Sequence, residues 1–338
     1  MSLGTGSKRA RGWRLAALLV IGLALLWSPG CGRKATKEPS PAPGAGKQTR
    51  PLLYDTELAQ VLVYYATADG RYLVPVTISI NPTREVAKTA VEKLVAGPPE
   101  DGLKATMPEG VKLREVYALT GEKTAYVDFT SDLLKIQDAH EAELALRSLV
   151  LTLTELQGIE GVRVMVEGQN IPELAGIKLE EPLKRPPAVN SLVQGKEQEA
   201  FVQVYFSDEQ ALHLVPVAVA APGSGEGDLP RAAVEALLAG PPKDSGLLAT
   251  VWPGTRLLDF TVRDGVAVVD LSKEAVGYGG GSTMETLFVD SLLWTLTQYP
   301  SINKVQLLIE GEKREYLPEG TPIREPLPRP GHLNMVYR

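Results

Sequence analysis

The sequence predicts an α+β protein made of two tandem copies of one β-β-α-β-β-α-β unit. Three observations carry this prediction. Matching segments recur about 141 to 144 residues apart, apolar residues alternate in short runs or recur at helical spacing in longer ones, and glycine and proline separate the runs. Each unit is expected to form a mainly antiparallel sheet with two helices on one face.

The repeat is read directly from the sequence. Leu73-Val-Pro-Val76 returns unchanged as Leu214-Val-Pro-Val217, and the other shared segments keep the same order. The matching pairs are 61–65 and 202–206, 91–99 and 234–242, 125–129 and 267–271, 148–154 and 291–297, and 181–186 and 325–330. We therefore expect a first domain over 55–190 and a second over 196–338.

Each unit begins with a predicted β-hairpin and a helix. In the first copy the strands cover 61–66 and 73–80, around the turn-forming Asp69-Gly70. A helix is predicted from about Thr83 to Ala96, ended by Gly97-Pro98-Pro99, since glycine ends helices and proline cannot continue them.

A second hairpin, a second helix and a last strand complete the unit. Strands over 111–119 and 124–129 meet at Gly121. The second helix carries apolar residues at helical spacing in both copies, and the pairs Asp138 with Glu141 and Ser282 with Glu285 have the spacing of reciprocal N-terminal capping. The last strand is predicted over 162–167 and 304–310.

Three of these shared features resemble the GerMN domain family. They are the Gly-Pro-Pro after the first helix, the strand ends at 127–129 and 269–271, and the Glu-Gly pairs at 167–168 and 310–311. The α-β-β-α-β stretch is also similar to the ring-building motif of sporulation and secretion assemblies. The resemblance covers nearly the whole mature chain.

The resemblance implies an extracytoplasmic lipoprotein of spore-forming bacteria. Such a protein works at the septal or engulfing membrane, with the complex that joins mother cell and forespore, and affects later germination. Its expected partners are other sporulation envelope proteins, in a possible homo- or hetero-oligomer. The resemblance implies no catalytic residues.

Residues 1–30 have the layout of an export signal. Lys8, Arg9, Arg11 and Arg14 precede an uncharged apolar run of thirteen residues, from Leu15 to Trp27. At 1.5 Å per residue this run is too short to cross a hydrocarbon core of about 30 Å as a helix. The pattern predicts a cleaved signal peptide.

The segment Ser28-Pro29-Gly30-Cys31 resembles a bacterial lipobox and implies that Cys31 carries a lipid. Two acyl chains on one cysteine suffice for stable membrane anchoring. Ser28 and Pro29 stand where the motif has an aliphatic and a small residue, so a free thiol beside a retained anchor, or cleavage elsewhere, remains an alternative. Residues 32–50 have almost no large apolar side chains, and we predict a flexible tether over 31–54.

The charge balance argues against nucleic acid as a partner. The net charge is −6, and it becomes about −10 without the signal, because residues 1–30 contain four bases and no acids. Phosphate binding requires a clustered positive surface. The expected contact with the membrane is therefore through the lipid anchor.

Two acid pairs could serve glycosidic-bond cleavage, in which one carboxyl group acts as an acid and the other as a base or nucleophile. The pairs are Asp128 with Glu167 and Asp270 with Glu310. All four follow strands and precede turns, where a solvated or capping acid is common. We predict that they have a structural role.

Other candidates for chemistry are weaker. The glycine-rich run 277–282 could hold a phosphate at a helix start, but it lacks a Walker lysine and reads as a loop ending in a cap. His140, His213 and His332 share no ligand spacing, so no metal or cofactor is predicted. Ser207 and Ser245 lack a nucleophile-elbow sequence. The Leu-Val-Pro-Val segments are predicted edge strands, with or without a partner.

The sequence therefore favours a non-catalytic, membrane-anchored assembly component. Two alternatives remain, a peptidoglycan hydrolase or its accessory, and a solute-binding lipoprotein. Converging carboxylates in a cleft would favour the hydrolase, and a deep pocket between the halves would favour the solute-binding protein.

Overall fold

A computed structural model describes residues 49–50, 58–119, 121–193, 200–221, 225, 228–277 and 281–336. The predicted signal peptide, Cys31 and most of the predicted tether lie outside the described residues. All of these described residues belong to one compact unit. No helix within the described residues combines the length and apolar character needed to cross a bilayer.

The elements of the first repeat follow the predicted order. They are β1 (Thr49–Arg50), β2 (Leu58–Thr67), β3 (Leu73–Thr83), α1 (Val86–Ala96), β4 (Leu103–Lys104), β5 (Leu113–Leu119), β6 (Thr124–Phe129), α2 (Ala139–Thr154), β7 (Gly161–Val166), β8 (Gln169–Asn170), β9 (Glu173–Leu174), β10 (Ile177–Lys178) and β11 (Leu183–Lys184).

The second repeat runs through the same series. Its elements are β12 (Phe201–Ser207), β13 (Leu214–Ala220), α3 (Leu229–Ala239), β14 (Leu257–Arg263), β15 (Val266–Leu271), α4 (Gly281–Thr297), β16 (Lys304–Ile309) and β17 (Leu327–Pro328). The predicted domain boundaries at 55–190 and 196–338 stay predictions.

The predicted α+β class is confirmed, but the strands of each repeat divide between two sheets. The first hairpin forms its own sheet, β3-β2-β4 in the first repeat and β12-β13 in the second. The later strands form β1-β5-β6-β7-β11 and β14-β15-β16-β17. Both helices of each repeat pack against its hairpin.

Most strand pairs are antiparallel, as predicted, with one exception in each repeat. Strands β6 and β7 pair in parallel, as do β15 and β16. A helix lies between the members of each pair in the chain, and such a crossover returns the chain to the same end of the sheet. The sequence prediction did not specify these directions.

Two hydroxyl groups of the second helix join it to the rest of each repeat, one to the hairpin and one to the segment after the first helix. The backbone N–H of Tyr64 donates to Thr152 Oγ1 at 3.1 Å, and that of Tyr205 donates to Thr295 Oγ1 at 3.2 Å. One helical turn earlier, Ser148 and Ser291 bond to threonine hydroxyls of the 105–106 and 249–250 segments. Thr152 and Thr295 therefore satisfy a backbone N–H of each hairpin, and Ser148 and Ser291 join the helix to the segment after the first helix.

The shared Glu-Gly pairs form tight turns after the last long strand. Glu167 and Gly168 have φ values of 50° and 78°, and Glu310 and Gly311 have 56° and 78°. Positive φ at both central residues defines the type I′ turn that suits the twist of a hairpin. The Glu-Gly motif thus serves backbone geometry.

The helix starts differ from prediction in two places. Strand β3 continues to Thr83, which pairs with Leu58, so α1 begins three residues later than predicted. Asp138 caps α2 as predicted, because its carboxylate accepts from Glu141 N at 3.0 Å. The predicted cap at Ser282 is wrong, because α4 already begins at Gly281 and Glu285 bonds instead to the N–H groups of Glu319 and Thr321.

The hydroxyl bridge predicts a clear difference between two threonines of α4. Replacing Thr295 with valine should lower the free energy of unfolding by about 1–3 kcal/mol, because the buried N–H of Tyr205 loses its acceptor. Thr297→Val is the matched control, since its hydroxyl donates only to Leu293 O of the same helix. Urea titrations would measure both, and equal losses would contradict the assigned role.

Candidate functional site at the junction of the two repeats

The four predicted acids lie at turns, where their carboxylates accept hydrogen bonds from backbone N–H groups. One pair also contacts an arginine. Asp128 accepts from Gly168 N at 2.9 Å, and Glu167 accepts from Ser131 N at 3.0 Å. Arg114 Nη1 lies 3.1 Å from a carboxylate oxygen of each. The structure thus brings this pair together around a guanidinium group and turn amides.

The second pair makes the equivalent backbone contacts. Asp270 accepts from Gly311 N at 2.8 Å, and Glu310 accepts from Lys273 N at 2.8 Å. Each acid binds a backbone N–H just beyond the end of the neighbouring parallel strand. The structural role predicted for these carboxylates accounts for every contact that they make here.

The serine candidates lie apart from the four acids. Ser207 is buried within β12, and Ser245 Oγ accepts from Leu247 N in a short helical turn. Of the glycine-rich run, residues 278–280 lie outside the described residues. Across the described ranges, no group of three or more His, Cys, Asp or Glu side chains is placed to hold a metal ion.

Two asparagines form the centre of the junction between the repeats. Asn190 Oδ1 accepts from Leu73 N, while its Nδ2 donates to Leu73 O and Pro216 O, each at 2.8 Å. Asn334 makes the same set of bonds with Leu214 N, Leu214 O and Pro75 O, also at 2.8 Å. The junction therefore has approximate two-fold symmetry.

The segments carrying the asparagines also run beside the hairpin of the other repeat. Ala218 N donates to Asn190 O, and Leu192 N donates to Ala218 O, both at 2.8 Å. Thr77 N donates to Leu333 O at 3.0 Å, and Val336 N donates to Thr77 O at 3.2 Å. Each repeat thus supplies a short segment that pairs alongside the proline-containing edge strand of the other repeat.

This arrangement shows what pairs with the predicted edge strands of the Leu-Val-Pro-Val segments. They are edge strands, and the partner of each edge lies in the same chain. Sequence reasoning did not select Asn190 and Asn334, although the signal was present. Both asparagines stand four residues after the shared Glu-Pro-Leu-x-Arg-Pro segment.

One histidine, bonded to two carboxylates, breaks the symmetry of the junction. His213 is buried, with Nδ1 at 2.8 Å from Asp208 Oδ2 and Nε2 at 2.9 Å from Glu100 Oε1 of the first repeat. Burial alone lowers the pKa of His213, but the hydrogen bonds and charges of Asp208 and Glu100 outweigh it and raise the pKa above 6.5. Because both carboxylates only accept, the protonated imidazole satisfies both contacts.

Two openings flank the junction. A cleft of about 470 Å³ is lined by Arg185 and Glu155 of the first repeat and by Gln298 and Arg329 of the second. Arg185 Nη2 donates to Glu155 at 2.5 Å, whereas the Arg329 guanidinium stacks 4.0 Å from the centroid of the Trp294 ring.

The second opening is a cavity of about 610 Å³, and Trp294 lines both openings. Glu100, His213, Asp290 and His332 line it. Both openings fall within the size range of small-molecule sites, about 300–1,000 Å³. Their size therefore meets one requirement of the solute-binding alternative.

Comparison with known proteins agrees with the repeated architecture. The family model described as Germane, sporulation and spore germination, matches residues 62–172 and 203–315. The chain belongs to this family. Each matched segment contains one hairpin, both helices and the three main sheet strands of a repeat, so the resemblance inferred from the shared motifs is confirmed.

Two relatives extend the comparison over both repeats. The spore germination protein GerM of Bacillus subtilis strain 168 is 25% identical over 285 residues, which are 80% of this chain and 77% of that protein. The solved tandem GerMN domains of the sporulation protein GerM from Bacillus subtilis match with a TM-score of 0.65 and 24% identity. That match covers 83% of this chain and all of the solved chain, and it shows the shared fold.

The asparagine bridges predict a selective effect on amide exchange. Asn190→Ala should speed hydrogen exchange at Leu73 and leave Leu214 protected, and Asn334→Ala should do the reverse. Each change should cost about 2–5 kcal/mol, because several buried backbone groups lose partners. Exchange followed by NMR, with the exposed Asn170→Ala as control, would test this. Similar exchange at both leucines in both variants would contradict the assignment.

The histidine contact predicts a pH dependence of stability. Since the folded-state pKa of His213 is raised, its contribution is fully present below pH 6.5 and is lost as the pH rises through the raised value. The free energy of unfolding should therefore fall less between about pH 6 and pH 9 in His213→Gln than in the unchanged protein. His332→Gln, at an exposed position, is the control. Parallel pH curves for His213→Gln and the unchanged protein would refute this role.

Proposed function

We propose that the protein acts in sporulation and spore germination as an extracytoplasmic, membrane-anchored assembly component without a catalytic step. Membership of the sporulation and spore germination family supports the process. Similarity to the spore germination protein GerM of Bacillus subtilis supports the same process. The finer role is argued from the residues that the two repeats share.

The observation that carries the non-catalytic role is the use of those shared residues. The Glu-Gly pairs form turns, a threonine of α2 and one of α4 bind hairpin N–H groups, and the asparagines join the repeats. The acids considered for catalysis bind turn amides in both copies. These uses build a rigid two-repeat body, which suits a protein that positions others.

An exposed sheet edge supports a role in binding proteins. Strand β14 is the last strand of its sheet among the described residues, and Leu258 and Val262 on it are 45% and 38% exposed. The equivalent strand β5 of the first repeat pairs with β1 at Thr49–Arg50. A strand that is unpaired along one edge and carries exposed apolar side chains can accept a strand from another chain.

The proposed partners are other envelope proteins of the sporulating cell, and the proposed location is the outer face of the septal or engulfing membrane. Attachment would be through a lipid on Cys31, with the residues between Cys31 and strand β1 as a tether. The resemblance to a lipobox supports the lipid, and the apolar run before it supports export. The net negative charge of the mature chain supports protein rather than nucleic acid as partner.

Cys31→Ala should abolish lipidation and move the protein from the membrane fraction to the soluble fraction of sporulating cells. Metabolic labelling with a fatty-acid analogue and membrane fractionation would measure both. Ser28→Ala, which leaves the cysteine in place, is the matched control. A Cys31→Ala protein that stays in the membrane fraction would contradict the lipid anchor.

The assembly role has a separate test. Crosslinked complexes purified from sporulating cells should contain the unchanged protein together with other envelope proteins, and Leu258→Lys with Val262→Lys should reduce them. Glu312→Lys, on a different turn of the same repeat, is the control. A turnover of peptidoglycan lost on replacing Asp128 or Asp270 in a folded protein would favour the hydrolase instead.

A further inference from the structure

The two long helices differ at one equivalent position that faces the junction. Arg147 precedes the shared Ser148 in α2, and Asp290 precedes Ser291 in α4. The residue one turn earlier also changes, from Glu143 to Thr286. The second repeat thus has a negative group where the first has a positive one.

In the first repeat the arginine fills its site. Arg147 Nη2 donates to Val189 O at 2.7 Å and approaches Ala188 O at 3.5 Å, while Nη1 lies 2.9 Å from Glu143. The guanidinium therefore joins the helix to the segment that leads into Asn190. Its positive charge is balanced by an acid of the same helix.

In the second repeat the equivalent site is open. Asp290 is half-buried, and it makes no hydrogen bond or ion pair with any other residue that the structure describes. It lines the cavity of about 610 Å³ together with His332 and Leu333, the counterparts of Ala188 and Val189. A carboxylate that loses water without gaining a partner is costly, which favours a cationic ligand.

We propose that this cavity binds a guanidinium group, which pairs with Asp290 and takes the place that Arg147 fills in the first repeat. Asp101 also lines the cavity and adds negative charge, whereas the charge of Glu100 is paired with His213. Thr286 also lines the cavity. It is the smaller counterpart of Glu143, the acid that pairs with Arg147 in the first repeat. The inference rests on the cavity and its internal counterpart, and it does not depend on the proposed assembly role.

The ligand chemistry has two sources that experiment can separate. An arginine side chain of another protein would enter as part of a peptide, whereas a free cationic solute would enter alone. N-acetyl-arginine amide presents the side chain without backbone charges. A short peptide with one central arginine presents the same group on a chain.

The pH dependence of binding follows from the groups in the cavity. Burial raises the pKa of Asp290 to about 6, so the carboxylate becomes neutral in mildly acidic solution. The other titratable groups lining the cavity are Glu100, Asp101, His213 and His332. Affinity for a cation should therefore be higher at about pH 8 than at about pH 5.

Isothermal titration at pH 8 would test the proposal with N-acetyl-arginine amide and with the single-arginine peptide. The corresponding citrulline compounds have no charge and should bind at least about tenfold more weakly. Asp290→Asn should weaken arginine binding by at least about tenfold, since it removes one partner of a desolvated charge pair. Asp259→Asn, an exposed acid on β14, should leave it unchanged.

A transplant of the first-repeat pair gives an independent readout. Asp290→Arg with Thr286→Glu should fill the cavity from within, raise the midpoint of urea unfolding and abolish binding. Binding of the free amide would identify a solute site, and binding of the peptide alone would identify a protein partner. No binding of either probe at millimolar concentration, or equal binding by Asp290→Asn, would overturn the proposal.

Discussion

The structure depends on the pairing of backbone groups at two edge strands that each contain a proline. Pro75 and Pro216 have no N–H to donate, so neither hairpin edge can continue as a regular ladder at that residue. Asn190 and Asn334 pair with the backbone groups left along these edges, because one amide side chain can both donate and accept hydrogen bonds. The two repeats are therefore held by directional bonds as well as by apolar burial, which fixes their relative orientation.

Much of the fold could be predicted from the sequence, because each local signal has a direct physical cause. The strand Thr124–Phe129 was predicted to the residue, since alternating burial and a flanking turn define it. Gly97 ends α1 as expected, with φ of 83°. Thr83 was misassigned, because β-strand pairing with Leu58 outweighed its local preference as a helix start.

The junction was less predictable, because its residues are brought together from distant parts of the chain. Asn190 and Asn334 have no local pattern that reveals their targets, and Leu73 lies 117 residues from Asn190. The partner of the Leu-Val-Pro-Val edge could not be chosen from the edge itself. The charge reversal at positions 147 and 290 was readable in the alignment of the repeats, but its burial was not.

The contact of Thr77 with Leu333 spans 256 residues. During synthesis the N-terminal half emerges long before Leu333, so Thr77 on its hairpin edge has no backbone partner there until the segment after β17 is made. A folding intermediate of the N-terminal half therefore exposes a β-edge that other chains can bind. The hairpin edge of the first repeat is thus completed by a segment of the second.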